Sequence, residues 1–192
     1  MSREIKNRTR AIFLDRDGTI NKEVDLLTDT RQLRLIPGTA KAIRLLKRLG
    51  FLVVIVTNQP VIARGEVTEK YMDHIHAVLV RRLEVRGAVI DAIYYCPHHP
   101  DASIKKYKIK CRCRKPNTGM ITAAAKQFGI QLKNSFMVGD RTADILAGRR
   151  AGITTILVGT GYGGADGKHN VAPDFRAKDL GDAVKVIRKY GK

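Results

Sequence analysis

Acidic residues are scarce in this chain of 192 residues: 18 Asp and Glu stand against 36 Lys and Arg, a formal net charge of +18. Such a surplus concentrates anionic ligands around the protein, so phosphorylated small molecules and nucleic acids both remain open as partners. Aromatic residues amount to only 6 %, with no tryptophan, and they do not alternate with the basic ones. A stacking platform for single-stranded nucleic acid is therefore not supported. No apolar run approaches the length of a bilayer span. The start, Met1-Ser2-Arg3-Glu4-Ile5-Lys6, carries charges but lacks the hydrophobic core of a signal peptide. A cytoplasmic protein without a membrane partner is expected. There is no internal repeat and no linker, and the length suits a single domain over residues 1–192 with a substantial core.

What is present is concentrated at a few points, first in Ile12-Phe13-Leu14-Asp15-Arg16-Asp17-Gly18-Thr19. An apolar run stops at two carboxylates two residues apart. In an extended segment residues i and i+2 point to one side, so Asp15 and Asp17 are expected to converge on one ligand while Arg16 faces away. Two crowded carboxylates repel unless a cation lies between them, which predicts a hard divalent metal, most simply Mg²⁺. Asp17-Gly18 also has the composition of a hairpin turn, but a mixed polar stretch follows Thr19 rather than a partner strand.

Along the rest of the chain, Ala42, Ile43, Leu46 and Leu49 share one face of a predicted helix, with Lys41, Arg44, Lys47 and Arg48 on the other and Gly50 as its C-cap. Phe51 to Val56 is a continuous β-branched run, typical of a strand buried on both faces, and it ends at Thr57-Asn58. A second helix follows Thr68, with Tyr71, Ile75, Leu79 and Leu83 spaced by four; Val89 to Tyr95 reads as a strand. A Cys, His and Lys-rich loop occupies Cys96 to Lys115, followed by a helix from Thr118 to Phe128, a strand from Ser135 to Val138 and a helix to about Arg150. A strand from Thr154 to Val158, a glycine-rich stretch suggesting mobility and a helix from Leu180 to Tyr190 complete the pattern. Alternating strands and helices indicate an α/β fold, a mainly parallel sheet covered on both faces. Asp15, Thr57 and Asp140 fall at C-terminal strand ends, the edge that carries the ligand crevice in open α/β sheets.

Asp15-Arg16-Asp17-Gly18-Thr19, Thr57-Asn58, Lys115-Pro116 and Gly139-Asp140 with Asp144 resemble, in order, the four motifs of the haloacid-dehalogenase-like phosphatases. The resemblance covers Phe13 to about Gly161. It implies a Rossmann-like three-layer sandwich in which Asp15 is the nucleophile that forms an aspartyl-phosphate. Asp17 would protonate the leaving group and then deprotonate the attacking water. Asp15, the backbone carbonyl of Asp17 and Asp140 would hold Mg²⁺, while Thr57 and Lys115 would neutralise the phosphoryl oxygens. For Asp144 the family suggests an outer-shell role, whereas its place one turn after Asp140 also fits a helix cap.

Cys96-Pro97-His98-His99-Pro100 and Cys111-Arg112-Cys113 bring all three cysteines into one loop. Cys-x-His with Cys-x-Cys supplies four ligands for a closed structural zinc site; reduced thiols or a disulfide are the alternatives, the latter disfavoured in the cytoplasm. The resemblance selects Cys96, His98, Cys111 and Cys113, leaving His99 as the other imidazole. Because the loop runs into Arg114-Lys115-Pro116, zinc would position the phosphate-binding lysine.

This loop, with Thr57-Asn58-Gln59 and Ala63-Arg64-Gly65 upstream, looks like the D-glycero-D-manno-heptose-1,7-bisphosphate 7-phosphatases, near relatives of the histidinol-phosphate phosphatases. That likeness implies a Mg²⁺-dependent phosphatase removing the 7-phosphate of the heptose bisphosphate. Asn58, Gln59, Arg114, Glu23 and Asp25 would then contact substrate. Pro60-Val61 departs from the Ser-Gly usual after Asn-Gln. Proline removes a backbone donor there, which bears on specificity. Without an insertion between motifs the site should lack a separate cap domain, and a monomer is expected. Histidinol-phosphate hydrolysis, nucleic-acid 3′-phosphatase activity and a nucleic-acid-binding zinc module are the alternatives, with nucleic acid not favoured because the acidic set is intact.

Overall fold

The computed structural model of the chain describes residues 9–191, so the charged start Met1 to Lys6 lies outside the described residues. Six strands form one sheet: β1 (Arg10–Leu14), β2 (Phe51–Asn58), β3 (Ala92–Cys96), β4 (Phe136–Gly139), β5 (Thr154–Val158) and β6 (Phe175–Ala177). Their order is β3-β2-β1-β4-β5-β6 and every pairing is parallel. The chain builds outward from β1 to β3, then returns to the other side of β1 with β4. That reversal opens a crevice at the C-terminal ends of β1 and β4.

Alternate residues of β1 and β2 enter opposite cores, as the two-residue repeat of a strand requires. Ile12, Leu14, Val53 and Ile55 pack with α1 (Thr39–Arg48), α3 (Glu69–Glu84) and α6 (Leu180–Tyr190). Ala11, Phe13, Val54 and Val56 pack against Met120, Ile121 and Ala147 of α4 (Gly119–Phe128) and α5 (Thr142–Arg150). A three-layer α/β sandwich results, as expected. Among the described residues no helix is long and apolar enough to cross a membrane.

Several details differ from the sequence reading. The third strand starts at Ala92 rather than Val89, which is 50 % exposed, because pairing with Val54 to Asn58 sets the register. Cys96 therefore ends a strand. On α3, Met72 and His76 face inward while Tyr71 points out, and Thr68 caps the helix through its hydroxyl. A short α2 (Pro60–Ala63) begins at Pro60, where the missing N–H would have no helical partner anyway. With only three residues, β6 is too short to show an alternating pattern.

Candidate active site and metal centres

β1 ends at Leu14, and from Asp15 onward the chain curls: the Arg16 carbonyl accepts from the amides of Ile20 and Asn21. The expected extended spacing of Asp15 and Asp17 is thereby broken. Both residues line the same cavity of about 690 Å³, a size usual for small-molecule sites, but their carboxylates take different partners. Asp15 accepts from the Arg16 amide at 2.8 Å and meets Lys115 Nζ at 2.9 Å. Asp17 instead accepts two bonds from Arg16, one from Asn21 Nδ2 at 2.8 Å and one from Gln59 Nε2 at 3.0 Å. Arg16 does not face away, as the alternation had suggested; it folds back on Asp17 and is fully buried.

Lys115 is buried and its ammonium reaches Asp15, Asp144 at 2.6 Å and the Val56 carbonyl at 2.7 Å. Burial alone would lower its pKa, but the Asp144 and Asp15 carboxylates outweigh it and hold the lysine above its usual range. Asn58 fixes the adjoining backbone: its Oδ1 accepts from the Lys115 amide at 3.0 Å and its Nδ2 donates to the Lys115 carbonyl at 3.1 Å. Gln59 is 2 % exposed and its amide is spent on Asp17, Arg16 and the Thr57 hydroxyl. The side chains of Asn58 and Gln59 thus hold catalytic candidates in place.

Asp140 directly follows β4, and Asp144 lies in the first turn of α5. Asp144 accepts from the Arg141 amide at 3.0 Å, which bears out the cap, and its carboxylate also pairs with Lys115. Asp15, Asp140 and Asp144 offer oxygens that lie within 4.8 Å of one another. Burial, with the charges of Asp15 and Asp144, pushes Asp140 up to about 8. Its Oδ1 is buried without a hydrogen-bond partner. A buried unpaired carboxylate oxygen in a like-charged group is costly, and a divalent cation removes both the repulsion and the vacancy. The donor set, oxygen throughout, fits Mg²⁺. The Asp17 carboxylate is outside this group, which leaves its backbone carbonyl as the ligand the resemblance implies.

Two glycines make room for Asp140: a Cβ on Gly18 or Gly161 would lie 2.3 or 2.2 Å from its Oδ2, and both residues have positive φ. The glycine-rich segment, expected to be mobile, is tied to the site. The Tyr162 amide donates to Asp140 Oδ2 at 2.8 Å, Thr160 Oγ1 to the Gly18 carbonyl at 2.6 Å, and Tyr162 Oη to Asp25 at 2.9 Å. Arg141 stacks 3.8 Å over the Tyr162 ring and pairs with Glu23 at 2.9 Å. Glu23 and Asp25 therefore form a wall of the cavity through partners that sequence reading did not single out. Arg64, Lys168 and His169 also line it. Arg64 belongs to the Ala63-Arg64-Gly65 segment already noted, whereas no spacing signal marked Lys168 or His169 as site residues.

The cysteine loop closes on itself. Cys96 Sγ lies 3.5 Å from Cys111 Sγ, 3.1 Å from Cys113 Sγ and 3.6 Å from His98 Nδ1, which is 3.3 Å from Cys113 Sγ. Tetrahedral zinc with Zn–S near 2.3 Å requires ligand separations of about 3.5–3.8 Å, so this group fits with slight expansion. His99 lies outside the cluster, its Nδ1 accepting from the Asp101 amide. Arg114 donates to the His98 carbonyl at 3.0 Å while lining the cavity.

A HAD-hydrolase-like family model matches residues 112–183. The chain is 39 % identical over 183 residues to the D-glycero-beta-D-manno-heptose-1,7-bisphosphate 7-phosphatase of Escherichia coli K12, covering 95 % of each. It is 41 % identical over 179 residues to that of Yersinia pestis, covering 93 % of this chain and 95 % of the relative. Among solved structures it resembles a D,D-heptose 1,7-bisphosphate phosphatase from B. bronchiseptica complexed with magnesium and phosphate. The TM-score is 0.82 at 32 % identity, covering 94 % of this chain and 99 % of that one.

Proposed function

Since the chain belongs to the family of D-glycero-beta-D-manno-heptose-1,7-bisphosphate 7-phosphatases within the haloacid-dehalogenase-like hydrolases, we propose that it removes the 7-phosphate of the heptose bisphosphate through an aspartyl-phosphate on Asp15. The observation that carries this reading is the meeting of Asp15, Lys115 and Asp144 at the crevice, beside an unpaired Asp140 oxygen. Asp15, Asp140 and the Asp17 carbonyl would hold Mg²⁺, which when bound offsets the charge of the phosphoryl oxygens. Lys115 and the Thr57 hydroxyl bind the same oxygens and orient phosphorus in line with Asp15.

As the Asp15–phosphorus bond forms and the bond to the sugar oxygen breaks, the Asp17 carboxyl proton passes to that oxygen. In the second half, water attacks phosphorus, the Asp15–phosphorus bond breaks, and the water proton returns to Asp17. Burial favours protonated Asp17, but Arg16, Asn21 and Gln59 outweigh it and hold the acid below its usual range; the arriving phosphate charge acts in the opposite sense. Arg114 lies beside the phosphate-binding lysine and is suited to the second phosphate. Cys96, His98, Cys111 and Cys113 would hold a structural Zn²⁺, which would set the path into Lys115. Residues 1–192 act as one phosphatase domain.

The test is a turnover screen over heptose and other sugar bisphosphates, histidinol phosphate and 3′-phosphorylated oligonucleotides, with Asp15→Asn as control. The heptose bisphosphate should have the highest kcat/KM and keep its anomeric phosphate. Preference for histidinol phosphate or an oligonucleotide would overturn the assignment.

A further inference from the structure

Arg16 is the largest fully buried side chain among the described residues. Burying a guanidinium is expensive unless every donor is used, and here all five N–H groups have acceptors. Nε and Nη2 grip the two oxygens of Asp17 at 3.1 and 2.7 Å, and Nη2 also reaches Gln59 Oε1 at 3.0 Å. Nη1 faces His76 Nε2 at 3.0 Å and Met72 Sδ at 3.2 Å. Met72 and His76 lie four residues apart on one face of α3, so one helix anchors the far edge of the guanidinium. Arginine donates and cannot accept; His76 Nε2 is therefore the acceptor and the ring is neutral. The His76 ring is itself fixed, tilted against Tyr95 with centroids 5.2 Å apart.

Two parallel bonds from a planar fork define the plane of the carboxylate they hold. The Asp17 carboxylate takes its hydrogen bonds from Arg16, Asn21 and Gln59 and none from α3; the helix reaches it through Arg16. A displacement near 1 Å at a reacting group costs about a hundredfold in rate, so a clamp of this kind matters for an acid that must meet the leaving oxygen. We infer that Arg16, anchored by His76 and Met72, is a positioning residue that aims the Asp17 carboxyl at the leaving group. The inference rests on the proposed role of Asp17 as acid and base.

The test compares kcat/KM for the heptose bisphosphate and for p-nitrophenyl phosphate in Arg16→Gln, Arg16→Lys and His76→Phe. This ratio reports steps up to formation of the aspartyl-phosphate, and nitrophenolate leaves without a proton. A mis-aimed acid therefore harms only the sugar ester. Arg16→Gln should lose about tenfold to hundredfold on the sugar ester and no more than about threefold on the aryl ester. Arg16→Lys should recover part of the selective loss. His76→Phe keeps the fork and removes one anchor; it should lose about threefold to tenfold with the same selectivity, and it carries the test if Arg16→Gln does not fold. Equal losses on both esters, or no loss on either, in the folded variants would overturn the inference and leave Arg16 a structural ion pair. Turnover surviving in Asp15→Asn would instead overturn the reading on which it rests.

Discussion

The two groups of candidate metal ligands in this protein are assembled in opposite ways. The four soft ligands lie within one loop between Cys96 and Cys113, and all but Cys96 sit outside regular structure. The carboxylates come from the ends of β1 and β4, more than a hundred residues apart, and meet only when the sheet is complete. A loop of this kind would gain its shape from a bound ion, so that zinc binding there would be local folding. The carboxylate site is made by the fold, so that an ion there would bind a framework that already exists. The regions are joined where Cys113 is followed by Arg114 and Lys115, and again where Arg114 donates to the His98 carbonyl and the Gln59 amide to the Cys96 carbonyl.

The contrast is broken most severely at Asp15. Asp15→Asn should abolish turnover, because an amide is a poor nucleophile and a weak ligand, yet leave zinc content and melting near wild type. Steady-state kinetics with elemental analysis checks this. Cys113→Ser should do the reverse: lose zinc, lower the melting temperature and lose activity as Lys115 loses its support. Unchanged melting with full zinc content would show that the loop does not depend on the ion.

A smaller effect sharpens the junction between the regions. Arg114→Ala should cost the bisphosphate about tenfold to hundredfold more in kcat/KM than a monophosphate analogue, the worth of a charge-assisted contact. Lys115→Ala should impair both. Equal losses in Arg114→Ala would favour a monophosphate such as histidinol phosphate. The smallest effect separates the sites by pH. Asp140, raised to about 8 by burial and by the charges of Asp15 and Asp144, holds its proton below that pH in the metal-free protein. Mg²⁺ must displace it, so affinity should weaken by up to about tenfold per unit as pH falls below 8. Mg²⁺ titrations at several pH values read this directly, and a flat profile would contradict it.

Legibility in the sequence followed the same division. The Cys96, His98, Cys111 and Cys113 cluster could be read because its spacing is local. The parallel sheet could be read because Phe51 to Val56 and Thr154 to Val158 are apolar runs of strand length, separated by amphipathic helices. Asp15, Thr57 and Asp140 stood out because they fall at or just after strand ends, and Lys115 because it follows the cysteine loop. Asp17-Gly18 carried a turn signature, but the curl already involves the Arg16 carbonyl, which takes the amides of Ile20 and Asn21, so the extended spacing expected of Asp15 and Asp17 failed. The burial of Arg16 was not foreseen, because a lone arginine between two acids reads as a solvated charge until His76 and Met72 arrive from α3. Tyr162 and Arg141 escaped for the same reason: their partners Asp25 and Glu23 lie more than a hundred residues earlier.

The central claim is that phosphorus passes through Asp15. Asp17→Asn enzyme lacks the base for the second half-reaction, while p-nitrophenyl phosphate needs no acid in the first. Mixed with that ester, the variant should release nitrophenol in a burst equal to the enzyme present and then slow sharply. Borohydride reduction of the accumulated acyl-phosphate, followed by peptide mass spectrometry, should find homoserine at position 15. A stoichiometric burst with label at another residue, or no burst and no reduced residue, would contradict the account.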